Sequence, residues 1–187
     1  VGGNSLLESS ALLALSLPTL AEAADVTGVP KIRDANQVTI GNTRIRIAGS
    51  DAPGLDQLCL NANSERFVDE GADFRNYTYA KYGRVILMQP GQFAWQVFDK
   101  KIIPMLRDEY RIKQVTKVRA DTLEDLVKRL DDVDGKRALE TIKAYNKAVR
   151  TDVAFNPNVK DGRRTEGLAI NKSNWANTVD QPPYEGY

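Results

Sequence analysis

The stretch Gln92-Phe93-Ala94-Trp95-Gln96-Val97-Phe98-Asp99 decides the fold of this chain. It is a short, largely apolar and aromatic run, and such a run predicts a buried β-strand. Helical patterns follow it, and a hairpin pattern precedes it. The fold class is therefore predicted to be α+β.

Helical patterns lie on the C-terminal side of this strand. Residues 100–110 predict a helix with Pro104 in or near its first turn. Asp121-Thr122-Leu123-Glu124 is typical of a capping box with Asp121 as N-cap, and Asp134 starts the next helix. These last two helices predict a hairpin with a short acidic loop and inward-facing Leu123, Leu126, Val127, Leu130, Leu139, Ile142, Tyr145 and Val149. Residues 155–187 are rich in Asn, Gly and Pro and predict an irregular arm.

A hairpin is predicted on the N-terminal side. Alternating residues 38–40 and 43–47 flank the turn dipeptide Gly41-Asn42, which is a common two-residue hairpin turn. One face of the second strand carries Ile45 and Ile47, and the other carries Arg44 and Arg46.

Residues 64–187 carry a dense set of motifs. They are E-R-F-V-D-E-G, R-N-Y-T-Y-A-K-Y-G-R, Q-P-G-Q-F-A-W-Q-V-F-D, A-Y-N-K-A-V-R, D-G-R-R-T-E-G and K-S-N-W-A-N-T-V-D-Q-P-P-Y. This part resembles the capping domain of the FAD-dependent tricarballylate dehydrogenase branch of the fumarate reductase and succinate dehydrogenase flavoprotein family. The resemblance implies FAD as cofactor and a small di- or tricarboxylate as substrate. The family's phosphate-binding G-x-G-x-x-G occurs nowhere in the sequence, so a separate FAD-binding portion is the expected partner.

The resemblance also implies roles for individual residues. Arg75 is the match, with a shift of one residue, to the catalytic arginine that relays a proton in the cap. Arg66 and Glu70 match a turn beside the flavin, although a local ion pair explains them equally well. The family's substrate-binding segment near the cap hinge corresponds to Arg164, Thr165 and Glu166. A solvent-exposed surface loop is the alternative interpretation of these three residues.

Residues 28–65 resemble the start of a staphylococcal-nuclease-like domain, which implies a partial OB-like barrel. Asp34, Arg46 and Asp51 match its calcium- and phosphate-binding residues. Two of its carboxylates are replaced, by Asn36 and by Gly54, so a nuclease-like module that binds nucleic acid or calcium without cleavage is the alternative function. A solvated strand face and an Asp-initiated turn would also account for these residues.

The composition narrows the chemistry. Lys plus Arg number 26 and Asp plus Glu number 25, so no global positive field attracts nucleic acid. Histidine is absent, which excludes imidazole catalysis and the commonest zinc ligand, and no metal site is predicted outside the nuclease alternative. The single Cys59 cannot close an intrachain disulfide and is expected to be a half-buried thiol.

The first residues resemble a secretory signal. An apolar run over 11–17 precedes Pro18 and the small-x-small sequence Ala21-Glu22-Ala23. It predicts a periplasmic or secreted protein, with an exposed amphipathic helix in a cytoplasmic protein as the alternative. The run is too short to form a transmembrane anchor.

Three segments are thus predicted: a signal-like segment (1–25), a partial nuclease-like β segment (26–65) and a flavoprotein capping-domain fragment (66–187). The leading hypothesis is a fragment of an FAD-dependent oxidoreductase that acts on a di- or tricarboxylate and is not competent alone. A non-functional fusion of two unrelated pieces is a further hypothesis.

Overall fold

A computed structural model of the chain describes residues 30–34, 37–40, 43–46 and 58–187, the first three stretches by their backbone. These three form an antiparallel sheet of strands β1 (Pro30–Asp34), β2 (Gln37–Ile40) and β3 (Thr43–Arg46) in that order. Ile40 lies opposite Thr43, which confirms the predicted hairpin pairing. The signal-like segment and the loop with Asp51 lie outside the described residues.

A second antiparallel sheet organises the rest of the described chain. It contains β4 (Leu58–Leu60), β5 (Trp95–Asp99), β6 (Val118–Ala120) and β7 (Tyr184–Gly186) in the order β4-β5-β7-β6. Every residue of β5 is buried, and the predicted central strand is confirmed. The strand β4 precedes residue 66 and still pairs with β5, so the sheet extends across the predicted segment boundary.

Three α-helices accompany this sheet: α1 (Arg75–Leu87), α2 (Leu123–Val127) and α3 (Gly135–Ala148). The last begins at Asp134, whose carboxylate accepts a hydrogen bond from the backbone N–H of Arg137. This confirms the predicted start. Of the inward residues predicted for this helical hairpin, Leu123 and Leu139 are partly buried against the main hydrophobic core, and the other six belong to it, together with Trp95, Val97 and Ala176.

The predicted helix at residues 100–110 is wrong. Two short 3₁₀ helices, Ile103–Met105 and Asp108–Arg111, stand there instead, and Leu106 and Arg107 between them are extended. Ile102, Leu106 and Tyr110 are all buried, so their spacing of four resembles that of a helix. Two turns bring the same three side chains inward without a continuous helix.

The predicted N-cap of α2 is shifted by one residue. Thr122, not Asp121, is the N-cap, and its hydroxyl accepts a hydrogen bond of 3.1 Å from the backbone N–H of Asp125. Thr122 has extended φ/ψ angles, as an N-cap residue does. Both residues are suitable cap types, and the sequence pattern alone did not separate them.

The irregular arm at residues 155–187 is more tightly packed than predicted. Trp175 is only 1% exposed, and its indole N–H points to the carbonyl oxygens of Asn156 and Val159. The arm then ends in β7, which pairs with β5 and β6 inside the sheet. Proline-flanked runs of three residues give a weak strand pattern, which is why β7 was missed.

Within the described part of the chain, no helix has both the length and the apolar character needed to cross a bilayer. The α+β fold class is confirmed, with a small antiparallel sheet and few helices.

Candidate functional site

The start of α1 is fixed by contacts with a segment about 100 residues later. Asp69 accepts hydrogen bonds from the backbone N–H and the hydroxyl of Ser173, while the side-chain amide of Asn174 donates to the carbonyl oxygen of Gly71 at 2.8 Å. A Cβ atom on Gly71 would lie 2.2 Å from the carbonyl oxygen of Asn174, so only glycine allows this approach.

Two further contacts extend this attachment to the first turn of α1. The rings of Phe74 and Trp175 lie 5.1 Å apart between centroids, and Asp73 forms an ion pair of 3.3 Å with Lys160. We call the contacts of residues 69–74 with residues 160 and 173–175 the α1 anchor. Because Arg75 follows directly, the anchor determines where its side chain leaves the backbone.

Arg75 lines a surface pocket of about 400 Å³ together with Phe74, Asn76, Tyr77 and Arg107. The first four residues come from the start of α1, whereas Arg107 comes from the extended link between the two 3₁₀ helices. Two arginine residues therefore line one pocket, together with two aromatic residues and an asparagine. Guanidinium groups bind carboxylates in a bidentate manner, so the pocket suits a small organic acid.

Arg66 and Glu70 form a buried ion pair. Their side chains are 6% and 0% exposed, and Arg66 Nε donates to Glu70 Oε1 at 3.1 Å. The same carboxylate oxygen accepts the backbone N–H of Cys59, while Arg66 also donates to the carbonyl oxygen of Ile170. Burial alone would lower the pKa of Arg66, but the charge and hydrogen bonds of Glu70 raise it above its usual value.

Tyr145 of α3 stacks against this pair. The guanidinium carbon of Arg66 lies 5.3 Å from the centre of the Tyr145 ring, which is a cation–π contact. Burial first, and then the negative charge of Glu70, raise the pKa of Tyr145 well above its usual value. Arg66 also lines a second pocket of about 440 Å³ with residues of α3 and the 168–170 loop. The contacts of Arg66 are those of a local ion pair, and its role beside a flavin stays a prediction.

Arg164, Thr165 and Glu166 lie beside the C-terminal end of α3. Arg164 and Glu166 pair with each other at 2.6 Å on the surface, each side chain being nearly half exposed. Thr165, by contrast, is 1% exposed, and its hydroxyl accepts the backbone N–H of Lys172. The arrangement is that of a surface ion pair beside a buried hydrogen bond, and a substrate role for the three residues stays a prediction.

Cys59 is fully buried rather than half buried, at 6% exposure.

The residues assigned to a nuclease-like site are only partly covered by the structure. Asp34 ends β1 and Arg46 ends β3, with backbones alone described, and Asp51 lies outside the described residues. Their proposed role stays a prediction. Among the side chains that the structure does describe, no three acidic, cysteine or histidine groups are placed to hold a metal ion.

Two of the described positions do not suit the diphosphate of FAD. A diphosphate is commonly bound at a helix N-terminus, but the N-terminus of α3 carries the Asp134 carboxylate as its cap. The guanidinium of Arg66 is already engaged by Glu70 and the carbonyl oxygen of Ile170. Neither of these two positions therefore offers an unpaired positive charge to the diphosphate of the cofactor.

Sequence reasoning missed Arg107 and the α1 anchor. Arg107 was assigned to a regular helix, where it would be one of several charged residues on a solvated face. The motifs that contain Asp69 and Asn174 were both recognised, but nothing in either motif indicated that the two make contact. The approach of Gly71 to Asn174 is a backbone contact, which leaves only a glycine as its sequence signal.

Comparisons with known proteins support a relationship to flavoenzymes over part of the chain. The probable fumarate reductase Ifc3 of Shewanella frigidimarina (strain NCIMB 400) is 26% identical over 122 residues, covering 59% of this chain and 20% of that protein. An open-conformation structure of a flavocytochrome c3 fumarate reductase superposes with a TM-score of 0.52 and 24% identity over 78% of this chain and 22% of that one. The 3-ketosteroid Δ1-dehydrogenase of Sterolibacterium denitrificans gives a TM-score of 0.46 at 17% identity, over 72% of this chain and 27% of that one.

No protein-family model matches the chain. The chain spans about a fifth of the length of the fumarate reductases that it matches. It is thus similar in sequence, and in the fold of most of its length, to one segment of a fumarate reductase flavoprotein. None of these similarities is to a nuclease.

Proposed function

We propose that this chain forms the cap segment of an FAD-dependent oxidoreductase that acts on a small di- or tricarboxylate, and that Arg75 is its catalytic residue. The observation that carries this proposal is the position of Arg75, which lines the two-arginine pocket directly after the α1 anchor. The similarity to a segment of fumarate reductases supports the same class of reaction.

The chemistry required of a cap suits an anchored arginine. A guanidinium group binds a carboxylate through two parallel hydrogen bonds, and it keeps its charge at any physiological pH. Held at a fixed point, the same group can orient the substrate and donate a proton to one substrate carbon, after which a proton from water would restore its charge; the flavin would supply the hydride to the other carbon. A separate portion would supply the flavin, since the sequence contains no G-x-G-x-x-G motif for its diphosphate.

The surface around the pocket fits a cap that closes on another protein surface. Tyr77, at the pocket, is 76% exposed, and Ile112, which lines the adjoining depression beyond Arg107, is 40% exposed. Large exposed apolar side chains around a pocket lined by two arginines are typical of a contact surface. Closure over a flavin-bearing portion would remove water from both side chains and from the pocket between them.

The test is complementation. The full 187-residue chain is mixed with a flavocytochrome c3 fumarate reductase from which the matching segment has been removed, and fumarate-dependent oxidation of a reduced dye is measured. We expect activity that requires this chain and that falls at least about 100-fold in Arg75→Gln, the range ascribed to one general acid. Arg84→Gln, at an exposed arginine in the last turn of the same helix, is the matched control.

Unchanged activity in Arg75→Gln would contradict the role of that residue. Absence of activity from a folded chain mixed with an FAD-loaded partner would contradict the cap itself. Binding of succinate to the chain alone, followed by ligand-detected NMR, gives a second measure that does not depend on the partner. We expect the binding to be weakened in Arg75→Gln and retained in Arg84→Gln.

A further inference from the structure

We propose that the pocket between α3 and the 168–170 loop binds a neutral, mostly apolar small molecule that carries a carbonyl group, and that Arg66 donates a hydrogen bond to that carbonyl oxygen. The pocket has a volume of about 440 Å³, which lies in the usual range for small-molecule sites. It shares no lining residue with the pocket of Arg75, so this inference goes beyond the proposed function and does not depend on it.

The guanidinium group of Arg66 has one N–H that its protein contacts leave for a ligand. A guanidinium group carries five N–H donors. Nε donates to Glu70, the two N–H groups of Nη2 donate to Glu70 and to the carbonyl oxygen of Val68, and Nη1 donates to the carbonyl oxygen of Ile170. The second N–H of Nη1 has no partner among the described residues. Since the side chain is only 6% exposed and lines the pocket, an acceptor on a ligand there would satisfy this donor.

The charges at the pocket are already balanced. The Glu70 carboxylate, which is 0% exposed, compensates the charge of Arg66, and Glu65 at the pocket pairs with Arg137 on the surface. An anionic ligand would therefore lie near two carboxylates without an unpaired cation to offset its own charge, and burying such a charge is costly. A neutral acceptor avoids this cost and still gains a hydrogen bond from a charged donor.

The remaining wall of the pocket is apolar and is formed before any ligand binds. Leu168 and Ile170 of the loop and Ala144 of α3 supply its carbon surface. The loop is held at both ends, because the backbone N–H of Leu168 donates to the side-chain oxygen of Asn171 at 3.1 Å and the carbonyl oxygen of Ile170 accepts from Arg66. A fixed apolar wall lowers the entropic cost of binding a ring or a short alkyl chain.

The test compares acetophenone with ethylbenzene, which lacks the carbonyl oxygen, and with benzoate, which carries a charge on the same ring. The full chain is labelled with nitrogen-15, and the shift of the Ala169 backbone amide during titration gives the dissociation constant at this pocket. We expect acetophenone to bind about tenfold more tightly than ethylbenzene, since only acetophenone accepts the hydrogen bond. Benzoate should bind at this pocket at least about tenfold more weakly than acetophenone.

A pocket-filling variant locates the site. Ala144→Leu adds three carbon atoms at the pocket wall and should weaken acetophenone at least about tenfold. Ala80→Leu, at an exposed alanine of α1, is the matched control and should leave acetophenone within about twofold. Both alanines are exposed and helical, and leucine is nearly as good a helix former, so both variants should keep the unfolding midpoint of the parent protein.

Arg66→Lys tests the donor itself. Lysine keeps the positive charge beside Glu70 but replaces the planar fork with a compact ammonium group, so the advantage of acetophenone over ethylbenzene should disappear while ethylbenzene still binds. Where this variant does not fold, the ligand comparison in the parent chain and the Ala144→Leu result decide. Equal binding of acetophenone and ethylbenzene, tighter binding of benzoate at the Ala169 amide, or unchanged acetophenone binding in Ala144→Leu would each overturn the inference. None of these outcomes bears on Arg75 or on the proposed function.

Discussion

Glu70 and Arg66 form an ion pair in which both side chains are buried. Among the described residues, no other carboxylate pairs with an arginine that is as deeply buried. Removing two charges from water costs several kcal/mol per ion, and their mutual attraction offsets this cost only when the remaining hydrogen bonds are also satisfied. Here the backbone N–H of Cys59 and the carbonyl oxygen of Ile170 complete the set. The pair thus connects β4, the 66–70 turn and the 168–170 loop.

Glu70→Gln is expected to lower the free energy of unfolding by about 3–5 kcal/mol, because it leaves the buried Arg66 guanidinium without a counter-charge. The measurement is urea unfolding followed by far-ultraviolet circular dichroism. Glu166→Gln is the matched control, since that carboxylate pairs with Arg164 on the surface, and it should cost less than about 1 kcal/mol. Equal effects of the two substitutions would show that the Arg66–Glu70 pair does not stabilise the fold as described.

The secondary structure could be predicted where the pattern of burial is regular and long. The strand β5 came from an unbroken buried run, and α3 from a helical period that begins at a suitable cap. The failures have a common physical cause. The strands β4, β6 and β7 are three residues each, and their stability comes from partners distant in the sequence rather than from local pattern.

The break in the predicted helix at residues 100–110 concerns the candidate site directly. Burial of every fourth residue is consistent with a helix. Two short turns separated by an extended link produce the same pattern of burial. The link is the part that carries Arg107 to the pocket. The sequence therefore led to the prediction of Arg75, through a family motif, but gave no signal that Arg107 from another element lines the same pocket.

The N-cap of α2 provides a direct test of the corrected helix start. Thr122→Ala should lower the free energy of unfolding by about 1 kcal/mol, because the backbone N–H of Asp125 loses its acceptor. Asp121→Ala, one residue earlier, should have little effect. Chemical denaturation of the two variants and the parent protein measures both values. The reverse order of effects would restore the cap predicted from the sequence.

The part of the chain from residue 58 to residue 187 is held together by contacts between distant motifs. The α1 anchor joins residues 69–74 to residues 160 and 173–175, and Asp99 at the end of β5 accepts the backbone N–H groups of Asp180 and Gln181 at 3.0 and 3.1 Å. The irregular arm is thereby attached at both the pocket and the central sheet. The position of Arg75 therefore depends on a segment about 100 residues away.

Gly71→Ala tests this dependence. The added Cβ would meet backbone atoms of Asn174 at 2.2 and 2.7 Å, so one of the two segments must move. We expect a loss of about 1–3 kcal/mol in unfolding free energy, the usual cost of overpacking, together with weaker succinate binding.

Gly83→Ala is the matched control for this substitution. Gly83 lies within α1 with nothing near its added Cβ, so alanine there should stabilise the chain by about 0.5–1 kcal/mol. Thermal unfolding of both variants measures the contrast. A Gly71→Ala protein as stable as the parent would show that the close approach of the two backbones is not required.

The order of strands in the second sheet has a consequence for how the chain folds. The strand β7 pairs with β5 on one side and β6 on the other, although β5 and β7 are more than 80 residues apart. The helices depend on neighbouring residues and can form within microseconds, whereas the sheet gains its middle strand only after a long loop has closed. Because this pairing has a large sequence separation, we expect the meeting of β5 and β7 to be the slow step of folding, and until it occurs we expect the edges of β5 and β6 to remain open to pairing with other chains.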